Sequence, residues 1–307
     1  MLRGLLLWVS ENPFFAQRLP RFRFVQRATR RFMPGETPEE AMTEALRLQR
    51  SRMSTVFTLL GESINEPREA VEVVEHYQAV LKELDRRDLD VEISVKLTQL
   101  GVDLGRDLAA ANLEAILGVA RELNRFVWID MEASNYVDVT LEIYKGARTR
   151  YENTGLCLQA YLYRTAEDVE ELLPLRPAIR LVKGAYAEPA DVTFPKKKDV
   201  DKNYLELSVR LLDVVADGGV RAAFATHDGA VIERIKDEAT TRGIPRGEVE
   251  FQMLYGINTR EQEELSGEGY KVQALISYGS AWFPWYMRRL AERPANLWFV
   301  IRKMVSR

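Results

Sequence analysis

The rhythm of apolar and polar positions changes near residue 53. Before it, Leu5, Val9, Phe15, Leu19 and Phe22 to Val25 give an apolar face at helical spacing, with basic residues from Arg18 to Arg31. Gly35 interrupts this pattern. Thr37-Pro38-Glu39-Glu40 then joins a capping hydroxyl, a proline at the first helical position and acidic residues in the first turn, which predicts a helix to about Arg50. After it, β-rich runs alternate with longer amphipathic segments. The runs fall at 55–60, 91–96, 126–130, 156–159, 179–183, 222–226, 249–253 and 272–276. Helices are predicted between them at 67–84, 108–123, 137–151, 166–173, 202–216, 230–241 and 259–267, with a last one at 283–293. The basic run Lys196-Lys197-Lys198 reads as a solvated loop.

Eight strand–helix units of roughly 30 residues each have the rhythm of an α/β fold of the (β/α)8 kind. An open doubly wound sheet is the alternative. Against it, the first strand–helix turn (Leu60-Gly61-Glu62-Ser63) lacks the Gly-x-Gly-x-x-Gly fingerprint, and the chain has no P-loop. The predicted organisation is an N-terminal helical arm, residues 1–52, packed on a catalytic barrel, residues 53–307, that ends in a C-terminal helix.

Composition narrows the chemistry. The 307 residues are 46% hydrophobic and 29% charged, an ordinary balance for a soluble domain. A net charge of -3 gives no reason to expect nucleic acid or an anionic membrane surface as partner. One cysteine, Cys157, excludes an intrachain disulfide and fits a reducing, cytoplasmic compartment; it lies in an apolar run and reads as a small core residue. With two histidines, His76 and His227, no His- or Cys-rich metal centre is expected, while counting alone leaves a carboxylate magnesium site open. The apolar run after Arg3 is too short for a signal peptide and meets Glu11 without a small-residue cleavage site. No stretch approaches the roughly 18 apolar residues of a membrane span.

Candidate chemistry sits where the strands end. The run Arg180-Leu181-Val182-Lys183-Gly184-Ala185-Tyr186 stops abruptly in a cation, a glycine and a tyrosine; 93–96 stops in Lys96 and 127–130 in Asp130. In a (β/α)8 barrel the C-terminal strand ends form the active-site rim. Read in order, that rim holds Glu62, Lys96, Asp130-Met131-Glu132, Gln159, Lys183 to Tyr186, Thr226-His227-Asp228, Leu254-Tyr255 and Tyr278. Charged or amide groups at so many ends are hard to explain by stability alone. On the predicted last helix, Arg288 and Arg289 project about 100° apart and can converge on one carboxylate or phosphate, with Glu292 a turn away to hold a guanidinium. A basic surface turn is the other reading of that pair.

The motifs Ser94-Val95-Lys96-Leu97-Thr98-Gln99-Leu100-Gly101, Ile129-Asp130-Met131-Glu132, Leu158-Gln159-Ala160-Tyr161-Leu162-Tyr163-Arg164, Arg180 to Tyr186, Ala225-Thr226-His227-Asp228, Phe251-Gln252-Met253-Leu254-Tyr255-Gly256 and Arg288-Arg289-Leu290-Ala291-Glu292 follow one another over residues 35–300. In this order the chain resembles the proline dehydrogenases, FAD enzymes that oxidise proline to 1-pyrroline-5-carboxylate on a distorted (β/α)8 barrel. The resemblance implies that Arg288 and Arg289, helped by Glu292, clamp the substrate carboxylate. It implies that Lys96 and Asp130 lie beside substrate and flavin, and that Arg180 lies near the flavin N5. Met131, Gln159, the Lys183-Gly184-Ala185 backbone, Thr226 and His227 match positions that hold FAD, and Tyr186 and Leu254 match the substrate pocket. The family often passes electrons to quinones at a membrane surface, and the basic stretch from Arg18 to Arg31 is compatible with peripheral contact there or with a solvated helix face.

Two departures fall on the wall that closes over the proline ring in the family. Where proline-binding members commonly carry Tyr-x-Pro-x-Gly, this chain has Leu275-Ile276-Ser277-Tyr278-Gly279, and Trp285 stands where a tyrosine is usual, with Tyr286 next to it. The substrate is then proline, a hydroxylated, larger or acyclic relative, or a different amine-bearing acid in a biosynthetic role. The residues by themselves also leave open a Schiff-base lyase or aldolase using Lys96 or Lys183, and a flavin-binding protein without turnover.

Overall fold

A computed structural model describes residues 30, 32–61, 64–186 and 188–283. Helix α1 (Pro38–Arg50) opens the regular structure with the expected cap: Thr37 Oγ1 accepts from the Glu40 N–H at 3.3 Å, and Glu40 accepts in return from the Thr37 N–H at 3.1 Å. Strands β1 (Ser54–Leu59), β2 (Val91–Val95), β3 (Val127–Ile129), β4 (Thr154–Gln159), β5 (Ala178–Val182), β6 (Arg221–Ala225), β7 (Glu250–Leu254) and β8 (Lys271–Tyr278) pair in parallel and in chain order into a closed barrel. Helices α2 (Pro67–Arg86), α3 (Arg106–Glu122), α4 (Val137–Arg148), α5 (Thr165–Leu172), α6 (Lys197–Ala216), α7 (Gly229–Thr241) and α8 (Thr259–Gly267) connect them. The (β/α)8 reading is therefore correct, with strand limits displaced by a residue or two. The predicted helices before residue 30, the Leu5 to Val25 face and nearly all of 283–293 lie outside the described residues.

One element differs from expectation for an identifiable reason. Helix α6 starts at Lys197, inside the basic run read as a loop. A cation there opposes the helix dipole, but Asp201, one turn on, pairs with Lys197. Helix α1, read as part of an arm packed on the barrel, buries Ala41, Met42, Ala45 and Leu48 and packs against β1 and β8.

Strand alternation divides the side chains between two cores. The outward row (Phe57, Ile93, Ile129, Leu156, Leu181, Phe224, Phe251 and Ile276) meets the helices in one continuous apolar layer. The register aligns Val56 with Glu92, Ser94 with Trp128, Cys157 with Arg180, Arg180 with Ala223, and Ala223 with Glu250, so these residues face the barrel interior. The interior has a small apolar cluster of Val56, Trp128, Ala178 and Ala223, with Leu275 and Phe126 against it. Gly155 makes room for this cluster: a Cβ there would fall 2.6 Å from the Trp128 ring. Much of the rest of the interior is polar. At the floor Arg221 bridges Glu250 and Glu92, and Lys271 pairs with Glu250. Buried charges persist in a core when they are paired in this way.

Candidate active site

Lys96 and Asp130 each lie one residue beyond a strand end, and Arg180 lies at the middle of β5, all on the inward phase. They meet. Lys96 Nζ donates to Asp130 Oδ2 at 2.9 Å and to Thr58 Oγ1 at 3.2 Å. Arg180 Nη2 donates to the other oxygen, Asp130 Oδ1, and to Ser94 Oγ at 2.9 Å. Ser94 Oγ donates to Asp130 Oδ1 at 2.8 Å. Arg180 is 3% exposed, while the Lys96 and Asp130 side chains keep 13% and 19%. The arginine therefore lies beneath a pair that opens toward the barrel mouth.

Burial alone would push all three groups toward their neutral forms, and mutual attraction reverses this. Burial works to raise Asp130, but the Lys96 ammonium and Arg180 guanidinium outweigh it and hold the carboxyl down at about 2. Burial works to lower Lys96, yet Asp130, with the Tyr77 and Tyr186 phenols adding, leaves it above the ordinary lysine value. Arg180 is raised in the same sense, burial being outweighed by Asp130. At neutral pH two cations thus share one carboxylate, an excess of one positive charge among the described residues of the cluster.

The rim around this cluster is fastened loop to loop. Gln99 Nε2 donates to the Leu59 and Gly61 carbonyls, at 3.0 and 2.7 Å. Glu132 accepts from the Thr98 N–H and hydroxyl, at 3.1 and 2.6 Å. Gln159 Nε2 donates to the Met131 and Glu132 carbonyls, at 3.3 and 3.1 Å. Each of the loops after β2, β3 and β4 is tied to the one before it. Gln159 Oε1 is buried and has no hydrogen-bond partner among the described residues.

Beyond β5, Lys183 Nζ donates to Asp201 Oδ1 at 2.6 Å and to Asp228 Oδ2 at 2.9 Å. Its ammonium is committed to these carboxylates, so what this stretch offers a ligand is its backbone. Gly184 has φ +112°, and a Cβ there would fall 2.1 Å from the Tyr161 ring, so no other residue fits without displacing it. Ala185 is exposed and Tyr186 half-buried. Thr226 accepts from the Asp228 N–H at 3.2 Å. His227 Nε2 accepts from the Leu254 N–H at 3.1 Å, which places the imidazole proton on Nδ1 in the neutral ring. That contact joins the ends of β6 and β7.

On the last wall Leu275 faces inward, half-buried, and Ser277 pairs in register with Thr58, the residue that meets Lys96. Tyr278, read from sequence as a rim group, does not belong there: it is fully buried on the outer face of β8, against Phe57, and its hydroxyl lies 2.9 Å from His76 Nε2. Burial lowers the pKa of His76. Arg288, Arg289, Trp285, Glu292 and Glu62 lie outside the described residues.

A family model described as proline dehydrogenase matches residues 41–302. The chain belongs to the proline dehydrogenase family. It is 39% identical over 308 residues to proline dehydrogenase 1 of Bacillus subtilis (strain 168), with 100% of each protein covered. It is 36% identical over 311 residues to the proline dehydrogenase of Deinococcus radiodurans, covering 100% of this chain and 98% of that one. Among solved structures, proline utilization A from Bdellovibrio bacteriovorus, inactivated by N-propargylglycine, superposes with a TM-score of 0.83 at 24% identity. The match covers 95% of this chain and 36% of that longer protein, and it shares the fold.

Within this proline dehydrogenase barrel, several partners of the predicted groups had no role assigned from sequence: Thr58, Ser94, Gln252, Asp201 and Asp228. Ser94 and Gln252 carried a usable signal. Each lies two residues before a strand-end position (Lys96, Leu254) and therefore on the same face, and each is polar in a run that alternates polar with apolar residues. Asp201 had no such signal, because its approach to Lys183 depends on how α6 leans over the barrel.

Proposed function

We propose that this protein is an FAD-dependent oxidoreductase that converts the CH–NH bond of proline, or of a close proline analogue, to the cyclic imine, 1-pyrroline-5-carboxylate in the case of proline. The observation that carries this reading is the buried cluster in which Lys96 and Arg180 share the single carboxylate of Asp130. The residues present fit a flavin. The orphaned Gln159 Oε1 supplies an acceptor, Met131 and the Lys183-Gly184-Ala185 backbone supply a rim, and Thr226 and His227 supply an adjoining edge.

A bound flavin would supply the acceptor for the hydride that leaves the substrate carbon. Hydride loss requires the amine lone pair, so the substrate must first shed its ammonium proton. Lys96 is held protonated by Asp130 and is not the base. Its charge, with that of Arg180, instead disfavours a second ammonium beside it, lowering the substrate pKa so that the proton passes to solvent. The same excess positive charge favours the negative charge arriving on the ring system. In this reading Arg288 and Arg289, steadied by Glu292, grip the substrate carboxylate, a positioning role. Tyr186, Leu254, Leu275 and Trp285 form the pocket wall. The electron acceptor is a quinone, reached by peripheral contact of a cytoplasmic protein with the inner face of the membrane. No helix among the described residues is long and apolar enough to cross a membrane.

The test is anaerobic bleaching. Purified protein is expected to be yellow and to lose flavin absorbance on adding proline, hydroxyproline, pipecolate or an acyclic amino acid, in an order set by Leu275, Ser277 and Trp285. Colourless protein that cannot be reconstituted with FAD overturns the reading. Flavin that no member of the panel reduces points instead to a binding protein without turnover. A borohydride-trapped lysine adduct would favour the lyase alternative, which the commitment of Lys96 and Lys183 to carboxylates disfavours.

A further inference from the structure

We infer that Gln252 is a positioning residue: it anchors the Arg180 guanidinium in the barrel interior and keeps a second carboxylate, Glu250, from neutralising it. The functional consequence rests on the proposed flavin chemistry, whereas the positioning rests on geometry alone. Arg180 is enclosed on three sides. Asp130 and Ser94 take Nη2 toward the mouth. The Trp128 ring lies beneath, 5.3 Å from the guanidinium carbon, with Arg221 of the floor 5.0 Å from the same ring. The third side is Gln252, whose Oε1 accepts from Arg180 Nη1 at 3.3 Å.

The other end of Gln252 faces the floor. Its Nε2 donates to Glu250 Oε1 at 2.9 Å and to Gln273 Oε1 at 2.8 Å. The orientation of the amide is dictated: a guanidinium can only donate and an ionised carboxylate can only accept, so oxygen must face Arg180 and nitrogen Glu250. Glu250 is already engaged by Arg221 and Lys271. Arg180 and Glu250 are both register partners of Ala223, and the tilt of the strands leaves Glu250 on the floor side of Arg180. An acidic floor and a cationic mouth are thus joined through one neutral side chain. A neutral amide gives Arg180 a fixed acceptor without cancelling the charge that it presents upward.

Gln252→Met keeps the length and removes all three hydrogen bonds. A buried donor on Arg180 then lacks an acceptor, while Gln273 Oε1 is freed below it. The guanidinium is expected to turn toward Gln273 and Glu250 and leave Ser94 Oγ. Gln252→Glu keeps the acceptor toward Arg180 but adds a negative charge.

The experiment combines crystal structures of both variants with flavin redox titrations of the holoenzymes. Gln252→Met should show Arg180 displaced from Ser94. Its flavin equilibrium should shift about tenfold toward the oxidised form, about 30 mV for a two-electron couple. Its kcat should fall about tenfold with KM within about twofold, because Arg180 lies beneath the pocket. Gln252→Glu should restore the arginine position yet still shift the flavin equilibrium the same way. Arg180 in place in both variants, with wild-type redox behaviour and only a lower Tm, would overturn the inference. If the wild-type protein binds no flavin, the proposed function fails, and the Arg180 position in the Gln252→Met crystal still decides the positioning claim.

Discussion

Replacing Asp130 with Asn tests whether the cluster is held by charge. The change keeps the shape and the Ser94 contact but leaves Lys96 and Arg180 facing each other without a counterion. The magnitude follows from the carboxyl itself, held at about 2 against an ordinary 3.8. A depression of nearly two units corresponds to about 2 kcal/mol of stability. Because the folded value lies below the unfolded one, this share is fully present above roughly pH 4 and disappears as pH falls through 2; about half remains near pH 3. Lys96 behaves oppositely: its folded value is raised, so its share is present below the ordinary lysine pKa and is lost only as pH rises through the folded value. The wild-type contribution is therefore flat between roughly pH 5 and 9. In Asp130→Asn the burial of Lys96 is unopposed, its pKa drops, and the variant gains stability as pH rises through that lowered value. Urea unfolding at pH 3, 7 and 9, with flavin content matched between the proteins, should give a deficit of about 2–4 kcal/mol at pH 7 that narrows on both sides. A deficit under about 0.5 kcal/mol, or one equal at all three pH values, would refute the charge argument.

Other residues give separable outcomes. Lys96→Met should lower kcat/KM at least about 100-fold and move the acid limb of the kcat profile about one unit upward, because the cation that depresses the substrate amine is gone; an unmoved limb would contradict that role. Gly184→Ala combines a φ of +112° with a clash against Tyr161, and should cost about 2–4 kcal/mol in urea unfolding together with flavin retention. Gln159→Leu strips the donor from the Met131 and Glu132 carbonyls and removes the orphaned oxygen, so flavin affinity should fall about tenfold by fluorescence titration, with about 1–2 kcal/mol of stability lost. Leu275→Tyr should lower KM for proline several-fold and raise it for bulkier analogues; equal KM values would remove Leu275 from the pocket wall.

The barrel and its rim were legible because both depend on local pattern. A parallel barrel buries both faces of its strands, so an apolar run that stops on Lys96 or Asp130 marks the place where the interior opens. Tyr278 was misread because it lies within β8, which runs two residues past the predicted end, and on the outward phase. The position resembled a strand end, but alternation pointed the ring at His76. One partner of Lys183 was hidden for another reason. Asp228 stood on the predicted rim, but Asp201 belongs to the first turns of α6, and helix placement over a barrel is set by packing that no short window contains.

The polar interior shows how far alternation could have carried the reading. Taking every second residue back from the rim leads from Lys96 to Ser94 and Glu92, from Leu254 to Gln252 and Glu250, and from Leu275 to Gln273 and Lys271. Those are the groups joined in the observed column: Ser94 to Arg180, Gln252 to Arg180, Glu250 to Glu92 through Arg221, and Lys271 to Glu250 directly. A barrel filled with Val, Ile and Leu would be simpler to stabilise, since ion pairs lose on burial much of what they gain by attraction. Charges reaching from floor to mouth are better explained by the need to hold Arg180, a buried cation, in one orientation beneath the proposed site of chemistry. An apolar floor would leave the Gln252 amide nitrogen without acceptors, and Gln252 free to turn away from Arg180.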